Sequence, residues 1–337
     1  MAEYLYPTNS VLTEVAQIRT ATLAQDDPLD EFMPIEDLDS HLVEWEQEDD
    51  YRGLQQVRGI NGAPPRVTRT GGKRYAMQPG VYGEFEPIDE LELTARRSFG
   101  IFGTPIDISD LVARRQKKLL GRQYDRVNQV RWLLFTTGTF AVVNADGVVL
   151  HTDTYTPQTF TATVPWATYA TATPLNDLRA MSLLAVGQGV RFDGSSVLFI
   201  NRVTFNHMIR NANTADMAGR RTNGLNTMLA LNLNEINTVF AGEDLPQIRV
   251  FDGGYKNDAN TFVRYIADNK GVLVGRRIDG EPIGKYYMTR NANNPNGEAG
   301  AYSKIKDEAI PRLIEVHQGH NGGPALHFPS AIINLNF

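Results

Sequence analysis

Between Ser109 and Phe135 the chain places Val112, Leu119, Leu120, Tyr124, Val127, Val130, Trp132, Leu133 and Leu134 near helical spacing, with Arg and Lys on the opposite side. The pattern predicts one amphipathic helix of about seven turns at 3.6 residues per turn. Ser109 is placed to cap its first turn, and Asp110 lies near the positive end of the helix dipole. After it, TFAVVNADGVVLHTDTY reads as two short apolar runs joined at Asp146-Gly147, a tight hairpin. Pro174 opens a second helix, over Asp177 to Val186, and VLFIN is a continuous apolar run of the kind buried on both faces of a sheet. Helix beside buried strand is the expected core of a first domain.

The pattern thins on either side. Residues 1–50 carry too few regularly spaced apolar side chains for a core of their own, so they read as an extended arm with docking segments at Phe32, Met33, Ile35, Leu38, Leu42, Val43 and Trp45. From Tyr51 to Phe85, glycines punctuate short Val- and Tyr-containing stretches, which predicts a long hairpin. An isolated two-stranded hairpin is marginal in water, so this one needs a neighbour to lie on. From about Asn211 to Gly323 the composition shifts to Asn and Gly around short strands such as QIRVFDGGY and GVLVGRR, a second, loop-rich domain. The alternating apolar residues of the C-terminus suit a strand returning to the first domain.

Charge divides into blocks. Twelve acids and no Lys or Arg lie between Asp26 and Asp50, among them Asp37, Asp39, Glu44, Glu46 and Glu48. The sign then reverses through Arg52, Arg58, Arg66, Arg69, Lys73 and Arg74, with no acid until Glu84. A second basic run includes Arg114, Arg115, Lys118 and Arg122 on the predicted helix. Such blocks are complementary surfaces within or between subunits, or else separate solvated faces. The helix's basic side is better suited to stapling acidic neighbours than to a phosphate backbone. A formal net charge of −6 over 337 residues argues against a dedicated nucleic-acid binder, which must neutralise phosphates.

Little in the chain points to catalysis. There is no Cys, so disulfides, thiolate metal sites and Cys nucleophiles are excluded, and synthesis in a reducing cytoplasm fits. No apolar stretch is long enough to span a bilayer, and no basic-then-apolar leader opens the sequence. His317, His320 and His327 are the one cluster that could surround a metal, but the Gly and Pro of HQGHNGGPALH read as a loop and lack a carboxylate partner. The glycines at 71–83 lack phosphate-loop spacing, and no nucleophile elbow, HExxH or calcium loop occurs. No catalytic residue, metal or cofactor is expected.

Taken in order, an acidic arm, a Gly-rich hairpin, a long charged helix, a strand-and-helix core and a loop-rich domain resemble the major capsid proteins of tailed bacteriophages. The similarity is to the α+β fold named after phage Hong Kong 97, and in particular to the lambda-type major capsid protein E family. It is carried by MPIEDLDSHLVEWEQ, GGKRYAMQPGVYGEFEPIDELELTARR, SDLVARRQKKLLGRQYDRVNQVRWLLF and TFAVVNADGVVLHTD. The resemblance implies an N-terminal arm at 1–50, an extended loop at 51–95 and a peripheral domain at 96–211 with a spine helix at 109–135. An axial domain at 212–325 and a return strand at 326–337 complete it. It implies intersubunit contacts through Arg58, Arg66, Arg69, Lys73, Arg74, Tyr75 and Tyr82 of the loop, and through Asp37, Asp39, Glu44, Glu46 and Glu48 of the arm. Arg114, Arg115, Lys118 and Arg122 form the charged face of the spine helix.

On this resemblance the chain is a virion protein, assembled in the host cytoplasm into hexamers and pentamers of an icosahedral head. The head encloses double-stranded DNA without specific binding. A separate scaffold protein is expected because the arm begins near Met1, with a portal protein and a decoration or cement protein as further partners and no membrane. A Lys73-to-Asn cross-link of the kind some members form is not expected. The alternatives are an encapsulin-type shell around a cargo enzyme, an enzyme built on the three histidines, and a DNA binder using the basic helix face.

Overall fold

The computed structural model describes residues 4–24, 27–47, 73–95, 106–143, 146–187, 189–217, 232–257, 259–294, 297–308 and 313–337, with isolated positions between 54 and 66. After a two-residue strand at Tyr4–Leu5 that pairs with Ile106–Asp107, the chain forms helix α1 (Asn9–Ala24), then strands β1 (Ile35–Leu38), β2 (Val43–Gln47), β3 (Lys73–Met77) and β4 (Gly80–Ile88). Helix α2 (Glu90–Ala95) leads to the long helix α3 (Ser109–Thr137), the hairpin β5 (Thr139–Val143) and β6 (Val149–Thr154), and strand β7 (Gln158–Thr161). Next come α4 (Pro174–Ser182), β8 (Val197–Ile200), α5 (Arg202–Ile209), α6 (Leu233–Gly242), β9 (Gln247–Val250) and β10 (Lys270–Val274). Strands β11 (Gly284–Thr289), β12 (Tyr302–Glu308), β13 (Leu313–Leu326) and β14 (Ile332–Asn336) close the chain.

Two five-stranded sheets carry the core. One runs β9-β8-β10-β14-β7, and its strand β8, the VLFI run, is buried at all four positions between β9 and β10. In the other, β13 pairs with β4 along one edge, while β12 and β11 follow one another along the other edge and β1 adds to β11. Helix α3 joins the sheets. Its first half packs Val112 and Leu119 with Ile314 and Val316 of β13, and at its far end Trp132 meets Phe199 of β8 edge-on at 5.5 Å and stacks on Phe251 at 4.8 Å.

The helix starts as expected at Ser109, but the cap differs. Ile108 is the N-cap residue, and the Asp107 carboxylate accepts the Ser109 N–H at 2.9 Å, so the acid preceding the serine satisfies the first-turn donor. The far end stops at Gly138, whose φ of 73° lets its N–H reach Leu134 O. The predicted hairpin is β5–β6, paired antiparallel from Thr139↔Thr154 to Val143↔Val149. Pro174 opens the second helix as expected, over Pro174–Ser182, and a 3-10 turn over Leu183–Ala185 completes the stretch to Val186.

Three segments differ from expectation. Residues 1–50 are not an extended arm: they hold α1, whose buried side chains among those described are Leu12, Thr13 and Ala16, a stripe too narrow to stand out from the sequence, and Thr13 Oγ1 anchors it to Ser303 O at 2.9 Å. The hairpin read from Tyr51 to Phe85 begins earlier, at β2. Val43 and Trp45 turn inward there and Glu44 and Glu46 outward, so a period of two lies inside what looked like an acidic arm. Its apparent return, β4, belongs to the main sheet over Ile88↔Ile314 to Gly80↔Gly322.

The third is HQGHNGGPALH, read as a loop, which lies almost entirely in the fourteen-residue strand β13. Its glycines permit close approach: a methyl group at Gly319 would overlap Tyr82 O on β4 and one at Gly322 would meet Tyr287 O at 2.5 Å. Pro324 is tolerated for a different reason. Its partner Tyr286 turns its own N–H to Pro34 O, so the nitrogen of Pro324 points away from β11, past the last β4 pair at Gly80. The division expected near residue 211 is also crossed, since β8, β10 and β14 are neighbours in one sheet while β1 and β4 join strands from 284–326 in the other.

Candidate functional site

The segment between α1 and β1 is a wedge. Asp27 accepts the Leu29 N–H at 2.8 Å to cap a 3-10 turn over Pro28–Glu31, and Leu29, Phe32 and Met33 are buried. Its acids reach separate elements: Asp27 accepts from Trp132 Nε1 at 3.3 Å, Asp30 binds Arg131, and Glu31 binds Arg249 at 3.3 Å and Arg276. Further on, Glu36 meets Lys285 at 2.9 Å and Asp39 forms a two-pronged pair with Arg290, which holds its carboxyl below the usual range. Asp37 has its carboxyl pushed up by the partial desolvation of its surroundings.

Beyond the wedge, β2 and β3 form a two-stranded ribbon, with residues 48–72 between them in sequence. Trp45 and Tyr75 are directly opposed and stacked at 5.5 Å, and Arg74 reaches Glu44 at 2.5 Å with Glu46 across from it. Arg58 donates to Gly62 O at 3.1 Å, and Arg66 is exposed. Glu48, Arg69 and the side chain of Lys73 lie outside the described residues. Leu54, Val57 and Ile60 are 98–99% exposed, three apolar side chains that nothing in their own chain covers.

The basic face of α3 is occupied within the chain. Arg115 binds Glu86 at 2.7 Å and Glu92 at 2.6 Å, Lys118 binds Glu86 at 2.9 Å, and Arg122 grips Glu84 with both prongs at 2.5 and 2.8 Å. Arg115, Lys118 and Arg122 share a helical face, while Glu84 and Glu86, two apart, share a face of β4. Those glutamates were the missed partners, and the alternation in GEFEPIDELEL is the signal that could have found them. Arg114 remains exposed, with Asp110 at 3.7 Å.

Tyr82 also turns inward. Its hydroxyl lies 2.6 Å from His151 Nδ1 and its ring stacks on His320 at 4.9 Å. The three candidate metal histidines do not converge. His317 and His320, three apart on a strand, face opposite sides: one pairs with Glu315 at 2.9 Å, the other lies 3.1 Å from the Tyr286 hydroxyl. His317 and His327 are ten residues apart, roughly 30 Å along an extended chain. Burial pushes His320 down to about 3 and His327 to about 4. Among the described residues no group of three or more His, Cys, Asp or Glu is placed to hold a metal ion.

The family model described as "Phage major capsid protein E" matches residues 29–336. The sequence matches no curated protein. Solved structures share the fold at low identity. One is a phage-related protein from Bordetella bronchiseptica RB50, 13% identical, with 95% of this chain and 96% of that one covered and a TM-score of 0.55. Another is the putative capsid protein of a prophage of E. coli CFT073, 12% identical over 95% and 98% of the two chains, TM-score 0.55. A third is the capsid protein of a native GTA particle, 9% identical over 94% and 90%, TM-score 0.52.

Proposed function

Since the chain belongs to the phage major capsid protein E family, we propose that it builds the icosahedral head of a tailed, double-stranded DNA phage as hexamers and pentamers. The fold is of the Hong Kong 97 type, and a capsid protein of this family works as one of many copies in the shell of a virion. Its role is structural rather than catalytic. Scaffold and portal proteins, a decoration or cement protein, and assembly in the host cytoplasm belong to the same proposal.

The observation that carries the intersubunit part is the ribbon. Strands β2 and β3 pair with each other and hold out a segment whose Leu54, Val57 and Ile60 have almost no contact with their own subunit. Three bare aliphatic side chains on one projection are a cost in water that a neighbouring copy relieves. The basic residues around them in the chain, Arg58, Arg66, Arg69 and Lys73, supply charge complementarity for that neighbour. Arg74, Tyr75 and Tyr82 serve this indirectly: all three have partners inside the subunit and fix the base of the projection.

Negative-stain microscopy of the protein expressed with its scaffold tests the reading. Uniform closed shells, or hexameric and pentameric rings, are expected; a monodisperse monomer or dimer at high concentration overturns it. Nuclease-protected double-stranded DNA inside the particles separates a phage head from a compartment holding a protein cargo.

A further inference from the structure

The β5–β6 hairpin projects from the end of α3 as a sheet of two strands, and Val143, Val148, Val149 and Leu150 near its tip are 46–62% exposed. Its inward side chains are Phe140, Val142 and His151. The imidazole of His151 enters a notch in the main sheet made by two glycines on adjacent strands, Gly80 of β4 and Gly323 of β13. A methyl group at Gly80 would overlap the ring, and one at Gly323 would lie 2.9 Å from Cε1. Met77 of β3 closes the notch beside Gly323, and Phe140 meets the imidazole edge-on at 4.9 Å.

The seat suits a neutral ring alone. Nδ1 lies 2.6 Å from the Tyr82 hydroxyl, whereas Nε2 is buried with no hydrogen-bond partner. Protonation places a hydrogen on both nitrogens, and the second would then be a buried cationic donor with no acceptor. The surroundings add little to hold that charge. On its own strand the acid acting on His151 is Asp153; β4 and β11 contribute the neutral Tyr82 and Tyr286, and β13 contributes His320, itself a base. From α3 come the cations Arg126 and Arg131, acting on those tyrosines.

We propose that His151 is an acid-released latch, which in its neutral form seats the β5–β6 hairpin in the Gly80–Gly323 notch and on protonation frees the hairpin from the main sheet. Burial pushes the seated imidazole from its ordinary 6.5 to about 4, and a released ring returns to the ordinary value. The ratio of open to closed hairpin therefore rises about tenfold per pH unit as pH falls from about 6.5 towards 4. The β4 strand holding one wall of the notch continues directly from the β3 side of the ribbon, so the latch couples the hairpin to the base of the projecting segment. The mechanism operates within one subunit and is independent of the head-building role.

Hydrogen exchange followed by mass spectrometry on the unassembled full chain, from pH 7.5 to 4.5 with intrinsic exchange rates corrected, tests the latch. Peptides covering 139–154 are expected to lose protection about tenfold per pH unit below about 6.5, and to exchange faster than those covering β8 at every pH, since the hairpin opens without the core. His151→Phe is expected to abolish this slope. Should that variant not fold, Tyr82→Phe serves: it retains the titrating ring and loses one hydrogen bond, so it lowers protection at every pH and keeps the slope. Hairpin protection indifferent to pH, an unchanged slope in His151→Phe, or hairpin protection equal to that of β8 at each pH overturns the proposal.

Discussion

Arg131 and Asp30, 101 residues apart, form an ion pair in which the guanidinium has no exposed surface and the carboxylate keeps 17% of its own. Arg131 also donates to Met33 O at 2.8 Å and to Asn128 Oδ1 at 2.5 Å, so α3 grips the wedge through backbone and side chain together. Breaking one half of such a pair strands a buried charge. Asp30→Asn is expected to lower subunit stability by about 3–5 kcal/mol, whereas Arg131→Met, which removes the charge and keeps the bulk, costs less. In urea denaturation the double variant should fall short of the sum of the singles by more than about 1 kcal/mol, the mark of two residues acting as one unit.

Stability should decline on mild acidification. His320 and His327 are buried, and desolvation holds them at about 3 and about 4, against 6.5 when unfolded. Below pH 6.5 the unfolded chain therefore binds protons that the folded chain refuses. The stability is fully present above 6.5 and is lost at about 1.4 kcal/mol per pH unit for each histidine as pH falls towards 4. Asp37, Asp125 and Asp177 act in the opposite sense, since burial raises their carboxyls, and offset part of this loss. Thermal or urea midpoints measured at pH 7.5, 6.0 and 5.0 should fall in that order, and His320→Gln, if it folds, should flatten the decline.

The helix α3, the β5–β6 hairpin and the buried β8 run were legible because each rests on local pattern: a helical stripe, an Asp-Gly turn and an unbroken apolar run. What escaped reading depends on distant partners. Glu36, Asp39 and Glu44 read as parts of one acidic block because Lys285, Arg290 and Arg74, which neutralise them, lie far along the chain. Gly319, Gly322 and Pro324 carry loop propensities, yet the crowding of β13 by its neighbours makes the glycines an advantage, and the end of β4 leaves room for the proline. The basic helix face was visible, but its partners Glu84, Glu86 and Glu92 became apparent only with β4 laid across α3.

That face should be uneven in strength. Arg115 is three-quarters covered and binds two glutamates, while Lys118 and Arg122 are each more than half exposed. Exposed pairs contribute about 0–1 kcal/mol and are screened by salt. Arg115→Ala is therefore expected to lower stability by about 1–2 kcal/mol, and Lys118→Ala or Arg122→Ala by less than about 1. In 0.5 M salt the two smaller effects should shrink towards zero while the Arg115 effect persists.

The end of α3 depends on one backbone conformation. Gly138 has a φ of 73°, its N–H bonds to Leu134 O at 2.9 Å, and an added methyl group would lie 2.7 Å from Tyr155 O and overlap Pro157. Left-handed strain and collision act together, so Gly138→Ala should cost more than about 1 kcal/mol. The same variant should disturb the β5–β6 hairpin first, visible as lost exchange protection at Tyr155, whose N–H bonds to Gly138 O.

The projecting segment separates folding from assembly. Leu54, Val57 and Ile60 touch almost nothing in their own subunit, so making all three Ser removes no packed contact and should move subunit stability by no more than about 0.5 kcal/mol. If a neighbouring copy covers them, the same change removes about 1.5–3 kcal/mol per side chain from each intersubunit contact, repeated at every copy of the shell. Deleting Gly62 to Gly72 is the blunter version: residues 48–61 still connect β2 to β3, and closing a shorter loop costs little. Both variants are expected to melt like the parent subunit and to fail to close shells under the microscope. Normal shells from the triple Ser variant would show that the segment's apolar side chains do not grip a neighbour, and normal shells from the deletion would remove the projection from assembly altogether.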